Sequence, residues 1–531
     1  MIFKLFTMRK LILSLLLAGA TAFTANAQQE FATIELPMNR AEDLVTLADD
    51  YGNVCIYYYQ NRALNFALIA PDGKQIARHE IPYRYSQEPQ LLGTRVTDDE
   101  FVFYSRYVNG RREYLRPFAI NRETGAFRTM QDEQINLERN VTFVGGFGDK
   151  EHFYMLYTDR DNDMHLYRGS DADVAHMEHK VFRSEEMPRT RVRNARESDM
   201  IFVHPDMQHN VFTGYHRSKI YSEGDKIHMI FDGFHLRGKS SDETTTEILT
   251  LDWNTGKTKY RTLPATDQGS TPNFNSFLYK NKLFRVHLDK DQFKLAAYDF
   301  NTLQPIKEYS YSGDEEISIK STPVYQRGAR SLFSPDNTVI EKTSKVMKNL
   351  ASGVPAITVD TYDDNSLQLT IGSYKAPDTD NAFNQDPTRM VRTPDRYVQT
   401  SRGLMMLPGR WVPAYNIPSY YLNSPYYSRF FYDPFSRGSN IPSGPGISTY
   451  FRSVITADGL AKVPAEDGKE PVVLQDKVET YEQELKPEPE LKTVYKYGDK
   501  LHYGYYDRRN KTFKIVEFAR GQEPSAQQPM E

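Results

Sequence analysis

The chain has 531 residues, 26% of them charged, and a formal net charge of −4. That near-balance leaves no electrostatic footprint for nucleic acid. A single cysteine, Cys55, excludes an intramolecular disulfide framework, so a chain of this length must be held by an apolar core.

The first predicted element is an export signal. Lys4, Arg9 and Lys10 flank the start of an apolar run at 11–18, and Ala25-Asn26-Ala27 supplies small residues for cleavage before Gln28. The pattern predicts a signal peptide over 1–27 and an exported chain, whether periplasmic, cell-surface or secreted. The apolar run is shorter than the roughly 20 residues of a membrane span. No later stretch approaches that length, so no transmembrane segment is expected after cleavage. Removal of the leader takes the net charge to −7.

Strand signals then dominate. Alternating or fully apolar runs rich in Tyr and Phe recur, among them Asn53-Val-Cys-Ile-Tyr-Tyr58, Phe101-Val-Phe-Tyr-Ser-Arg-Tyr107 and Phe153-Tyr-Met-Leu-Tyr157. Helical periodicity is scarce. It predicts one helix over 337–350, with Ser334 or Asp336 as its cap, and a short one over 476–485.

The strands come in repeated pairs. Ile220-Tyr-Ser-Glu-Gly-Asp-Lys-Ile-His-Met-Ile-Phe231 and Val494-Tyr-Lys-Tyr-Gly-Asp-Lys-Leu-His-Tyr-Gly-Tyr505 show the same hairpin twice. A second turn follows in each unit. Asp72-Gly73, Thr124-Gly125, Thr255-Gly256 and Asp458-Gly459 mark it, with Asn301-Thr302 in the same place of another copy. The spacing is 52 residues from Asp72 to Thr124 and 46 from Thr255 to Asn301. Unit starts fall near 44, 93, 143, 220, 276, 354 and 450–494.

This pattern resembles propeller repeats in general, which recur about every 40–50 residues. It lacks a repeated Trp-Asp signature. The resemblance implies an all-β, six- or seven-bladed β-propeller. One four-stranded unit exposes two apolar faces, and radial stacking buries them while leaving only short edges. The strand at 31–36 is expected to complete the last blade beside 512–518. Two stacked β-sandwiches are the competing arrangement. The expected organisation is blades over 28–375, a Pro/Tyr-rich insertion over 376–446, final blade or blades over 447–520, and a disordered tail at 521–531.

The insertion holds ten of the chain's 29 prolines, a density that forbids helix and central strand. From Trp411 to Phe435 ten of 25 residues are aromatic. Aromatic rings offer large contact area at small entropic cost and stack on sugars or protein partners. Trp411, Tyr415, Tyr420, Tyr421, Tyr426, Tyr427, Phe430 and Phe431 are therefore the candidate binding residues. The alternative is that these rings plug their own domain.

Other constellations fall short of chemistry. His176-Met-Glu-His179 lies in a loop-and-strand stretch, where residues three apart face opposite sides, so no metal site is expected. His228 and His502 occupy matching places in two repeats, which points to a structural slot. Asp159-Arg-Asp-Asn-Asp163 begins like a calcium loop but has Met164 and Ser170 where Gly and Glu are required. It reads as a hairpin turn. Asp232, Asp252, Asp289, Asp299, Asp360 and Asp363 stand at strand ends or turns, where a propeller channel could pair them as acid and base. Cys55 reads as a small buried hydrophobe. No nucleophile elbow, P-loop or dinucleotide fingerprint is present, so no catalytic residue and no cofactor is named. The sequence favours an exported binding or scaffolding protein of the cell envelope that contacts a protein or glycan partner through the aromatic loop. The alternatives are a glycan- or peptide-cleaving hydrolase or lyase, and a structural module of an envelope complex.

Overall fold

A computed structural model describes residues 28–520, leaving out 84–89, 136–140, 184–199, 206–208, 233–244, 265–272, 328–336, 376–389, 414–446, 465–470 and a few shorter stretches. The expected signal peptide at 1–27 and the expected tail at 521–531 lie outside the described residues. Alternating β-branched and aromatic residues punctuated by Asp, Asn and Gly turns build seven sheets of four or five strands, the blades of a propeller.

The first strand, β1 (Gln28–Glu35), belongs to the last blade. Blade one is β2 (Glu42–Ala48), β3 (Val54–Gln60), β4 (Ala63–Ile69) and β5 (Gln75–Pro82). Blade two is β6 (Gln90–Val96), β7 (Glu100–Asn109) and β8 (Arg112–Asn121), its outer strand split into β9 (Phe127–Thr129) and β10 (Glu133–Ile135). Blade three is β11 (Thr142–Gly148), β12 (Phe153–Thr158), β13 (Met164–Gly169) and β14 (Met177–Phe182). Blade four gains an inner parallel strand. Its order is β15 (Met200–Phe202), β16 (Ser218–Glu223), β17 (Lys226–Asp232), β18 (Thr245–Asp252) and β19 (Lys257–Pro264). Helix α1 (Val211–Tyr215) lies between β15 and β16. Blade five is β20 (Phe274–Tyr279), β21 (Lys282–Leu288), β22 (Gln292–Asp299) and β23 (Pro305–Ser312).

Blade six departs from the repeat. β24 (Val324–Arg327) and β25 (Asn337–Ile340) come before its inner strands in sequence yet form its outer edge. Helix α2 (Thr343–Leu350) leads to the inner strands β26 (Val354–Asp363) and β27 (Ser366–Lys375). The expected 337–350 helix is thus a strand followed by a shorter helix. Asn337-Thr-Val-Ile340 carries β-branched residues that favour strand. Within the insertion lie β28 (Met390–Arg392), β29 (Arg396–Thr400), β30 (Gly403–Leu407) and β31 (Trp411–Pro413). The chain then returns as β32 (Ile447–Thr456), the third strand of blade six. The insertion therefore sits inside the sixth unit, between its second and third strands. Helix α3 (Leu474–Glu484) precedes blade seven, made of β33 (Lys492–Tyr497), β34 (Lys500–Asp507), β35 (Thr512–Phe518) and β1.

The ring closes as the sequence predicts. β1 pairs antiparallel with β35, Ile34 opposite Phe513 and Ala32 opposite Ile515. Ala32, Ile34 and Leu36 sink into the core shared by blades seven and one. Apolar cores also fill the seams between blades one and two, two and three, three and four, and from four through six. Each seam carries a polar tie as well. Arg122 bonds Asp49 at 2.8 Å, Arg95 reaches the Gly169 carbonyl at 3.2 Å, and Arg168 meets Asp225 at 2.5 Å. Ser276 donates to Asp232 at 2.7 Å, and the Tyr309 hydroxyl to the Leu460 carbonyl at 2.6 Å. Between blades seven and one, Thr46 and Thr493 hydroxyls are 2.8 Å apart.

Helix α1 packs on blade six, and helix α3 packs the seam between blades six and seven. Val211 of α1 lies with Ala356, Tyr374 and Tyr450 of blade six. Leu474 and Val478 of α3 pack with Val494, Tyr503 and Phe518 of blade seven. Arg452 of β32 donates to Asp476 at 2.8 Å, binding α3 to blade six.

Candidate functional site

Antiparallel order gives the ring two unlike faces. Turns between first and second strands and between third and fourth strands share one end of every blade. Connections between second and third strands, and from blade to blade, share the other. The first face is made of tight turns. Asp252 and Asp299 accept the backbone N–H groups of Thr255 and Thr302 at 2.9 and 2.8 Å, and these bonds hold both carboxyls below their usual range. Gly73, Gly125 and Gly256 take φ of 81°, 68° and 67° in the same kind of turn. The long connections 183–217, 313–353 and 376–446 begin and end on strands at the second face.

The insertion is clamped at its base. β27 and β32 pair along their whole length, ending with Lys375 opposite Ile447, so both ends of 376–446 leave from adjacent strands. Trp411 lies on β31 opposite Arg392. Tyr415, Tyr420, Tyr421, Tyr426, Tyr427, Phe430 and Phe431 lie outside the described residues. Where β27 and β32 border the insertion lies an aromatic cluster that sequence reasoning missed. Tyr215 of α1 is 4.6 Å from Tyr374, and Tyr325 is 5.8 Å from Tyr450, ring centroid to centroid. Tyr374 and Tyr450 are buried. The signal for them was a Tyr near the insertion-side end of each strand that borders it. α1 fits only because Gly214 has no side chain, since a Cβ there would lie 2.8 Å from the Ile357 carbonyl oxygen. Asn210 caps α1 by accepting from Thr213 N–H at 3.0 Å.

Behind this cluster lie the buried polar groups of the inner strands. His209 hydrogen-bonds Asp360, Nδ1 at 2.8 Å from the carboxylate, while Nε2 is 3.0 Å from the His204 carbonyl. Lys219 donates to Asn275 Oδ1 at 2.6 Å and to the His216 carbonyl. Burial pushes the Lys219 ammonium down to about 8, while the Asp232 charge opposes the fall. Burial also raises the Tyr221 hydroxyl and lowers the Arg217 guanidinium. Asp232 accepts from Ser276 N–H at 2.8 Å, from Ser276 Oγ at 2.7 Å and from Thr246 Oγ1 at 2.7 Å. Every one of these contacts joins one element to another, and Asp232 and Lys219 are fully buried. The arrangement ties blades together.

The remaining candidates disperse. Asp289 and Asp363 cap turns through Lys290 and Asn365 N–H groups, so the six aspartates do not converge. His228 and His502 do share one slot. Each sits on the second strand opposite a first-strand tyrosine, Tyr221 or Tyr495, and bonds across to the third strand, Thr250 at 2.9 Å or Glu517 at 3.2 Å. His176 pairs with Glu133 at 3.0 Å, and His179 stacks on Tyr167 at 4.3 Å. Among the described residues no group of three or more His, Cys, Asp or Glu is placed to hold a metal ion. Asp159 accepts from Asp161 and Asp163 N–H groups, each at 2.9 Å, as a hairpin turn does. Cys55 is buried, and burial raises its thiol well above the usual range.

No protein-family model matches the chain, and no curated protein matches it. Among solved structures it is similar to the WD40 domain of SCAP from fission yeast, at 8% identity over 65% of this chain and 97% of that one, TM-score 0.25. It is similar to the β-propeller domain of the trilobed protease from Pyrococcus furiosus, at 10% identity over 63% and 89%, TM-score 0.26. A third is prolyl oligopeptidase B from Galerina marginata, at 8% identity over 70% of this chain, TM-score 0.31, where the match takes in 47% of the peptidase. The seven sheets themselves carry the fold, a β-propeller.

Proposed function

We propose that this is an exported binding or scaffolding protein of the cell envelope whose 376–446 insertion contacts a protein or glycan partner. One observation carries the reading: the insertion leaves a ring tied at every seam from two fully paired neighbouring strands. A segment fixed at both ends on a rigid base pays little to present itself. Its ten aromatics between 411 and 435 are the residue types that anchor interfaces. The leader at 1–27 supports export, and with it an envelope or extracellular setting.

The test is capture from native envelope extract with the full chain and with a chain lacking 376–446, each checked for cooperative unfolding. The expected outcome is an intact ring that no longer captures its partner. Equal capture by both chains would sink the proposal. Loss of cooperative unfolding on deletion would show the aromatics to be core.

A further inference from the structure

The two sides of blade six differ in kind. Side chains alternate across a sheet, so Ile357, Val359, Leu369, Ile371 and Phe451 all face one way, into the core shared with blade five. Thr358, Asp360, Gln368, Thr370 and Arg452 face the other way, toward α3 and blade seven, and all five are buried. Asp360 is held by His209. Thr358 Oγ1 and Gln368 Oε1 have no hydrogen-bond partner among the described residues.

Blade seven meets this polar side through an amphipathic helix. Leu474, Val478 and Tyr481 of α3 recur at the spacing of one helical stripe and pack with Val494, Tyr503 and Phe518. Asp476 lies on the other side of α3 and accepts from Arg452 of β32 at 2.8 Å. Past the end of β35, the Arg520 guanidinium lies 4.5 Å from the Tyr362 ring centroid on blade six. Tyr215 of α1 also crosses the joint, packing against the cluster that contains Leu474 and Val478. An apolar core fills each of the other six seams. Apolar burial holds a seam shut in proportion to the area taken from water. A buried polar group without a partner instead regains hydrogen bonds when its seam parts.

We propose that the folded ring opens at this one joint, blade six parting from α3 and blade seven while the other six seams stay shut. α3 remains on blade seven, where its apolar stripe is buried. Blade six moves as a unit, because β26, β27 and β32 stay paired along their length. The parted joint presents Thr358, Gln368 and Thr370 to solvent and lets the two unpartnered oxygens bond water. The opening does not depend on what the insertion binds.

The single cysteine, Cys55, is buried and serves as an internal reference. Gln368→Cys and Leu369→Cys each add a thiol at neighbouring positions of β27, 1% and 0% exposed, that face opposite seams. Each variant of the full chain is labelled with a maleimide under native conditions, and every site is read by peptide mass spectrometry. Each rate is divided by that of the same site in the urea-unfolded chain. Global unfolding exposes all thiols together, so the ratio of a new site to Cys55 in the same molecule cancels any change in overall stability. The ratio should be about tenfold or more at 368 and close to one at 369. Asp476→Asn, which weakens the tie to Arg452, should raise the ratio at 368 by about threefold and leave 369 unchanged. Equal ratios at 368 and 369 overturn the proposal. An Asp476→Asn effect that is absent at 368, or the same at both positions, overturns it too.

Discussion

Ring closure by β1 makes the sharpest quantitative prediction. Ile34 is 6% exposed and Leu36 is 1% exposed, both in the core between blades seven and one. Truncating a buried Ile or Leu to Ala costs about 2–4 kcal/mol each, part transfer and part cavity. The two share one cluster, so their sum falls short of additivity, and Ile34→Ala with Leu36→Ala should cost about 4–6 kcal/mol. That is a large share of a total stability of about 5–15 kcal/mol. Urea denaturation should show a much lower midpoint. Hydrogen exchange should show protection lost first on β35, because detaching β1 turns β35 into an open edge. Ile76→Ala on outer strand β5, 40% exposed, is the control and should change stability by less than about 0.5 kcal/mol. A double variant within about 1 kcal/mol of the parent, with β35 protection unchanged, would refute closure by the N-terminal strand.

Three further outcomes follow from named groups. His502 and Lys500 hold the Glu517 carboxylate down to about 2 from 4.5. Its folded value is therefore depressed, so the stabilisation is complete above about pH 5 and is lost as pH falls toward 2. Glu517→Gln should cost about 2–3 kcal/mol at pH 7 and much less at pH 3, read by denaturation at both. Asp232→Ala strands three buried donors and removes the charge facing Lys219. It should cost about 3–5 kcal/mol, with a cost below about 1 kcal/mol counting against a tie between blades four and five. Gly125→Ala forces a Cβ to 2.2 Å from that of Ala77 at φ 68°, whereas Gly256→Ala at φ 67° meets nothing within 4 Å. Thermal melts should therefore separate a loss of about 2–3 kcal/mol from one of about 1 kcal/mol.

The repeat was legible because it is local. Period-2 apolar runs and Asp-Gly or Thr-Gly turns are set within a few residues, and Asp72-Gly73, Thr124-Gly125 and Thr255-Gly256 all fall between third and fourth strands. Closure was legible for the same reason, since an unpaired apolar strand at 31–36 needs an edge. Asp458-Gly459 marks the matching turn of blade six, yet among the described residues the return after it is a single bridge, Lys462 opposite Ile455. The outer place there goes to β24, from before the blade, a long-range substitution that no local pattern encodes. The parallel strand β15 and the insertion of α1 beneath Tyr374 are equally non-local. So are the ties: Asp232 reads as a strand-end aspartate until Ser276, 44 residues on, donates to it.

The insertion poses a question of sign that thermodynamics can answer. It occupies the place of a hairpin turn between β27 and β32, and it spans 71 residues. Closing a flexible loop costs about 0.6 kcal/mol more for each doubling of length, so going from four residues to 71 costs about 2.5 kcal/mol. If the segment contributes no packing to the ring, replacing 376–446 by a four-residue turn should stabilise the protein by about that amount. If its aromatics fill the ring instead, each buried Tyr or Phe withdrawn costs about 3 kcal/mol or more, and the replacement must destabilise. The two accounts differ in direction, so a denaturant midpoint that rises on replacement supports a displayed binding arm and one that falls refutes it.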